Sequence, residues 1–355
     1  MIKDAYSRAL IFWLPGSLVI GYTLLGRPGL PDKYKIDSDY IANVAGQDIE
    51  SQGAFDLVGR LYRLLGLESD QTLAALATIF VFYLVFGYVF LKFAPMRLSV
   101  LQVILVVFAH FFGAVFMAQM TKEILMLIVP ISAFIPILKK IPMAWKILVV
   151  SIVIGLFFRN YWLLTAFFYI VFSALFRIPS HYFKLNRLIA LVSVYLVISN
   201  VYEIYFGIQL QDIRTGLNQF RIGSENAVTQ ISYVLDGSNP TISSFNMAVT
   251  LFFLIVPLPL LLQGPIYWIF AAAIFTFWFA VFRAIWKNVG SNYDLIWSQS
   301  TRLLVAFLAT QSIFEPDYGS YLRHLAPLAP LALVVVFGGN HEKCIDTKSD
   351  GRAKN

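Results

Sequence analysis

This sequence predicts an all-α, polytopic integral membrane protein of about ten or eleven transmembrane helices. Three observations predict that class. Hydrophobic residues fill 59% of the 355 positions and charged residues only 13%, and the mean hydropathy is +0.72. Soluble domains carry roughly a quarter charged residues. Apolar runs of about 18 residues or more recur, each long enough to cross a hydrocarbon core of roughly 30 Å. These runs are continuous rather than alternating, so their backbone groups are satisfied within helices and not in a barrel.

In chain order the expected spans are 9–26, 72–92, 98–120, 124–138, 145–158, 161–176, 186–206, 245–262, 265–283, 300–314 and 324–338. The first run, ALIFWLPGSLVIGYTLL, follows Lys3 and Arg8 and so has the flanks of a signal peptide. No A-x-A cleavage pattern follows it, so a retained first helix is expected. Residues 27–71 and 207–243 are the two longest polar connections. The second half of the former spaces its apolar residues at helical intervals and reads as an interfacial amphipathic helix.

Orientation follows from the short basic loops. Lys3 and Arg8, Lys92 and Arg97, Lys139, Lys140 and Lys146, and then Arg177, Lys184 and Arg187 occur at every second connection. Those connections belong inside, and 27–71 and 207–243 outside. Counting 245–262 as a full span would put Arg283 and Lys287 outside. That segment reads FFLIVPLPLLLQGP, with Pro257, Pro259 and Pro265, and proline breaks helices. A broken or re-entrant element there restores the pattern and is the preferred version. The chain reads as a single transmembrane domain over 1–340 followed by a polar inner tail over 341–355.

Composition also narrows the chemistry. A single cysteine, Cys344, allows no intrachain disulfide, and His110, His181, His324 and His341 stand at no metal-ligand spacing from one another. No metal and no cofactor is expected. The formal net charge of +7 belongs to basic inner loops, so nucleic acid is not an expected partner.

The unusual polar residues fall on the expected outer side. In GLFFRNYWLL, Arg159 stands between two apolar segments. It reads either as an arginine snorkelling beside an aromatic belt of Tyr161 and Trp162 or as a guanidinium fork for a lipid phosphate. Lys122 and Glu123 read as a self-neutralising pair capping a turn, with a catalytic carboxylate as the lesser reading. In QLQDIRTGLNQFRIGSENA, Ile213, Leu217 and Phe220 share one helix face, and Arg214 and Arg221, seven apart, share another. The arginine pair suits a solvated face or a pyrophosphate. Gly223 and Ser224 precede Glu225 as a turn into a short helix, with Ser224 as N-cap. Asp37 and Asp39 form a D-x-D, a pattern common by chance that also occurs where a metal-bound sugar phosphate is held.

The stretch FEPDYGSYLRH, between two apolar runs, is the densest in chemistry. Pro316 holds Glu315 extended and ends the preceding helix near Phe314. Asp317 or Ser320 caps the next helix, expected to begin near Tyr321. Arg323 and His324 would then lie in its first turn, where the macrodipole disfavours cations. A compensating anion is expected: Glu315, Asp317 or a ligand phosphate.

Four places together carry a resemblance: DSDY after the first helix, FRNYW, IRTGLNQFRIGSENA, and FEPDYGSYLRHLAPLAPLAL before the last helix. As an arrangement the chain resembles the polytopic polymerases of bacterial cell-surface polysaccharides, of the Wzy and EpsG-like type. The resemblance implies transfer of a glycan from a polyprenyl-pyrophosphate-linked donor to a lipid-linked acceptor repeat unit, in exopolysaccharide, capsule or O-antigen synthesis. It implies a multi-pass protein of the bacterial plasma membrane with its site on the outer face. Its partners would be the lipid-linked oligosaccharide, membrane lipid, and chain-length-regulating and flippase proteins. Cations stabilise a pyrophosphate leaving group, so the reaction needs no metal. By position, Arg159, Arg214, Arg221 and Arg323 are assigned to the donor, and Tyr318 and Tyr321 to stacking on sugar rings. Glu225, Asp317 and His324 are the candidate bases.

Two other classes stay open. A transporter or flippase of lipid-linked glycan would use the same arginines, although only one broken segment and no inverted repeat is visible. A non-catalytic membrane subunit of a polysaccharide synthase would leave these residues free to vary. A ligase or acyltransferase is a neighbouring enzyme reading, but no H-x-x-x-D supports acyl chemistry.

Overall fold

The computed structural model describes residues 5–47, 53–134, 141–175, 183–219, 229–237, 239–287 and 295–338. Lys3, Lys139, Lys140, Arg177, His181, Arg221, Ser224, Glu225, His341, Cys344 and the tail over 341–355 lie outside them. The described residues are helices and turns without a named strand, and an isolated antiparallel bridge joins Gln230 and Asp317. Among the described residues, five helices are long and apolar enough to cross a membrane: Tyr6–Leu24, Gln71–Phe93, Val100–Met117, Pro265–Lys287 and Tyr318–Gly338. Shorter apolar helices occupy Met143–Phe157, Tyr161–Leu175, Val192–Phe206 and Pro240–Ile255.

The chain divides into two compact units. Unit 1 comprises Met1–Asn160, Ala280–Thr301 and Arg323–Asn355; unit 2 comprises Tyr161–Phe279 and Arg302–Leu322.

In unit 1, α1 (Ala5–Leu24), α4 (Gln71–Phe93) and α5 (Val100–Phe112) pack together, and α16 (Ala329–Gly338) lies against α4 and α5. Asp70 caps α4 through the amides of Thr72 and Leu73, and a capping box of Ser99 and Gln102 starts α5. The whole of α16 is apolar and almost wholly buried. The Gln102 side-chain amide donates to Val336 O and the Trp297 indole to Val335 O. The run expected as one span over 98–120 is helical only to Met117, its last turn a π-turn, Gly113–Met117. A 3-10 helix, Lys122–Leu127, leads into α6 (Ile128–Phe134), which packs on α7 (Met143–Phe157).

The first long connection is more ordered than its polarity suggested. Its described residues hold a 3-10 turn, Asp32–Tyr34, and two α-helices, α2 (Ile36–Gln47) and α3 (Ala54–Leu64), of which α3 is the expected amphipathic segment. Val58 and Tyr62 of α3 bury against Ile41 and Ala45 of α2. Gly59 permits the approach, since a Cβ there would sit 2.7 Å from Val44 Cγ1 and 3.3 Å from Ala45 N. Gly59→Ala is expected to weaken the α2–α3 contact by about 1–3 kcal/mol through overpacking. Faster hydrogen exchange of the α2 and α3 amides, with α4 unchanged, is the readout.

In unit 2, α9 (Phe183–Phe206) packs against α11 (Pro240–Ile255). The Asn239 side chain caps α11, and Pro240 takes a first-turn position where no amide is needed. The helix stops at Val256, before Pro257, and restarts as the four-residue α12 (Leu258–Leu261) before α13 (Pro265–Lys287). Proline lacks the N–H that would continue the ladder, and the expected break in 245–262 is found there.

FEPDYGSYLRH departs from expectation. Asp317 Oδ1 accepts the Ser320 amide at 2.8 Å, so α15 (Tyr318–Leu325) starts three residues before Tyr321. Arg323 and His324 therefore occupy its last turn and not its first, where the helix dipole favours cations. The segment then runs through a 3-10 turn, Ala326–Leu328, that includes Pro327, and on into α16.

A charged cluster as the candidate functional site

Six ionisable side chains of unit 1 come together: Asp37, Lys122, Glu123, Arg159, Arg323 and His324. Each arrives from a different local cause. Asp37 stands in the first turn of α2, where the dipole favours an acid. Thr121 starts the 3-10 helix that carries Lys122 and Glu123, its hydroxyl accepting the Glu123 amide at 3.2 Å. The Thr121 amide in turn donates to the Tyr62 hydroxyl, which is bonded to Thr78, so α3 and α4 brace this cap. Arg159 stands in the tight turn after α7, its own amide donating to Ile154 O at 2.9 Å.

The pairing is crossed. Lys122 Nζ lies 3.0 Å from Asp37 Oδ2, and Arg323 donates to that same oxygen. Arg159 Nη2 donates to Glu123 Oε1 at 2.8 Å, and His324 Nε2 lies 3.7 Å from that same oxygen. Lys122 and Glu123, expected to neutralise each other, instead pair with different partners. Successive residues of a 3-10 helix point about 120° apart, so sequence neighbours diverge. The acids beside Arg323 and His324 are Asp37 and Glu123. Asp37 and Asp39 also part, because i and i+2 fall on opposite sides of a helix. Asp39 is exposed. Among the described residues no group of three or more His, Cys, Asp and Glu side chains is placed to hold a metal ion.

Among these six side chains, Lys122, Arg159 and Arg323 set three cations against two carboxylates, an excess of one positive charge at neutral pH before His324 is counted. Burial alone would raise the Asp37 carboxyl, but Arg323 and Lys122 hold it below its ordinary range. Burial pushes Glu123 up as well, and Arg159 with His324 overcomes it, so Glu123 stays ionised inside the protein. Lys122 is the soft member. Burial and the nearby Arg159 bring its ammonium from an ordinary 10.5 down to about 8, against the pull of Asp37 and Glu123. The face of Phe55, 3.6 Å from Nζ, partly replaces the lost water.

A pH dependence follows. Below about 8 Lys122 is charged, and the unfolded chain holds that proton up to 10.5. Its burial therefore costs stability below about 8, and the cost fades as pH rises toward 10.5. Anion affinity has the opposite trend and should fall as pH rises through about 8. Titration of the purified protein with inorganic pyrophosphate across that interval checks it. In Lys122→Arg the fall should be absent.

The residues expected to bear chemistry thus separate. Arg159, Arg323 and His324 join the cluster in unit 1. Arg214, Asp317, Tyr318 and Tyr321 belong to unit 2, and Arg221 and Glu225 lie outside the described residues. Arg214 is fully buried, with Nη2 donating to Thr250 Oγ1 at 2.9 Å and its guanidinium 3.8 Å from the Tyr233 ring centre. Asp317 caps α15. Tyr318 donates to Phe253 O, and the Tyr321 hydroxyl accepts from the Trp278 indole; both rings are buried. From sequence, Glu123 carries a catalytic role only as a lesser reading, Asp37 enters only through the D-x-D, and Lys122 only as the neighbour of Glu123. The signal available was an adjacent Lys-Glu pair isolated between apolar runs.

No protein-family model, curated protein or solved structure matches this chain.

Proposed function

We propose that the protein is an oligosaccharide repeat-unit polymerase: a polytopic glycosyltransferase of the bacterial plasma membrane with its site on the outer face. It transfers a glycan from a polyprenyl-pyrophosphate donor to a lipid-linked acceptor. The observation that carries the reading is the convergence of Lys122, Arg159 and Arg323 on the carboxylates of Asp37 and Glu123, all four contributing segments meeting at one place. In the reaction an acceptor hydroxyl oxygen bonds to the anomeric carbon while the bond from that carbon to the pyrophosphate oxygen breaks. The electron pair leaves with the pyrophosphate, whose growing charge Arg159, Arg323 and Lys122 stabilise from prearranged positions. The hydroxyl proton passes to His324. The imidazolium so formed lies 3.7 Å from Glu123 Oε1, a carboxylate already ionised. Asp317 acts as a helix cap and Arg214 as a buried structural cation of unit 2.

The test is polymer formation in bacteria lacking the gene and complemented with wild type, Arg159→Ala or Arg323→Ala, with membrane abundance matched. Loss of long chains with single lipid-linked repeats accumulating on the outer face supports the polymerase. Repeats trapped on the inner face would instead identify a flippase, and unchanged chains in both variants would remove the cluster from the reaction.

A further inference from the structure

The two acids of the cluster are not equivalent. Glu123 is 0% exposed and its Oε1 is shared by Arg159 and His324, so it is a fixed counter-ion inside the protein. The Asp37 side chain is 22% exposed and reaches in from α2. A single oxygen, Oδ2, meets both Lys122 Nζ and Arg323 Nη1. Two cations converging on one carboxylate oxygen from different segments form the geometry of an oxyanion subsite. The Phe55 ring on Lys122, contributed by α3, shows that the α2–α3 pair supplies both the anion and an apolar wall to the same ammonium. Arg323 Nε, buried and without a hydrogen-bond partner, adds a donor that Asp37 does not use.

We infer that Asp37 occupies the subsite of a ligand phosphoryl oxygen and is displaced when a pyrophosphate group binds to Lys122 and Arg323. The inference rests on the pyrophosphate reading above and adds to it a residue that sets donor affinity by competition. Displacement exchanges one anion for another at the same two cations, so ligand binding opposes an internal ion pair instead of filling a bare charge. Removing the Asp37 charge removes the competitor.

The experiment uses the full chain in lipid nanodiscs with inorganic pyrophosphate as the probe, measured by calorimetry at pH 7. Asp37→Asn is expected to tighten binding about tenfold, because the charge that competes with the ligand at two close cations is removed. The gain should vanish in Asp37→Asn/Arg323→Ala, the signature of a shared subsite. Asp37→Ser replaces Asp37→Asn should the latter not be recovered folded, as judged by thermal melting. Unchanged or weaker pyrophosphate binding in the folded Asp37 variant would overturn the inference. The two readings fail separately. Polymer formation that requires Arg323, with pyrophosphate affinity indifferent to Asp37, removes the competition and keeps the polymerase. Tighter pyrophosphate binding in the Asp37 variant, with polymer unaffected by loss of Arg323, does the reverse.

Discussion

Arg323→Ala is expected to lower the rate of glycan transfer by about 10²–10³ while leaving the protein folded and abundant, an effect typical of removing one prearranged donor at a developing oxyanion. Its structural cost is small because Asp37, its partner, keeps Lys122 at 3.0 Å and is itself partly solvated. No buried carboxylate is stranded. The chemical cost is large because Arg323 is one of the three cations among these six side chains, and its loss leaves two of them against the two carboxylates. Arg323→Lys separates the contributions further. It keeps the charge and loses the planar fork, so a partial rate would attribute the remainder to bidentate geometry. Single-turnover transfer with matched membrane abundance reads the effect, and a wild-type rate in Arg323→Ala would refute the assignment.

Glu123→Gln is expected to show the opposite balance, with a loss of about 1–3 kcal/mol in stability, the cost of removing a fully buried carboxylate from the partly buried Arg159 that it pairs with. Arg159 loses the carboxylate it holds at 2.8 Å, and His324 loses the same neighbour. Denaturation in detergent at neutral pH measures it. The Glu123 carboxyl lies below its ordinary 4.5 in the folded chain, so its contribution is present above that value and is lost as pH falls through the lower folded value. Wild type and variant should therefore converge in acid. Pairing Glu123→Gln with Arg159→Met should recover part of the loss, because the carboxylate and the arginine it meets are then removed together, while transfer is lost with Arg159. An unaltered melting point for Glu123→Gln at neutral pH would show that the ion pair contributes nothing to the fold.

Much of the fold was readable before any coordinates. Continuous apolar runs are helices wherever water is scarce, and Pro257 ends one because it lacks an amide hydrogen. The amphipathic spacing in the first connection marked α3. It did not mark α2, whose mixed face, with Ser38 buried beside Ile41 and Val44, carries no clear period. The beginning of α15 was misplaced because two residues, Asp317 and Ser320, were both plausible caps. The amide of Ser320 going to Asp317 decides between them.

The candidate site was half legible. Arg159, Arg323 and His324 stood out as costly charges next to apolar runs, which is a local property of the chain. Their counter-ions did not, and local rules gave the wrong partners. Asp37 is 286 positions from Arg323, and Glu123 is 36 from Arg159. Lys122 turns to Asp37 and Glu123 to Arg159, while Arg323 and His324 divide between Asp37 and Glu123, because consecutive helical residues face different directions.

Periodicity and composition are short-range quantities, and they suffice for helix, hydropathy and the rarity of a charge. The pairing of charges is set by which helix faces meet. Only the packing of α2 and α3 beside the 3-10 turn at Lys122, with α15 bringing Arg323, determined that these six side chains form one cluster with a positive excess.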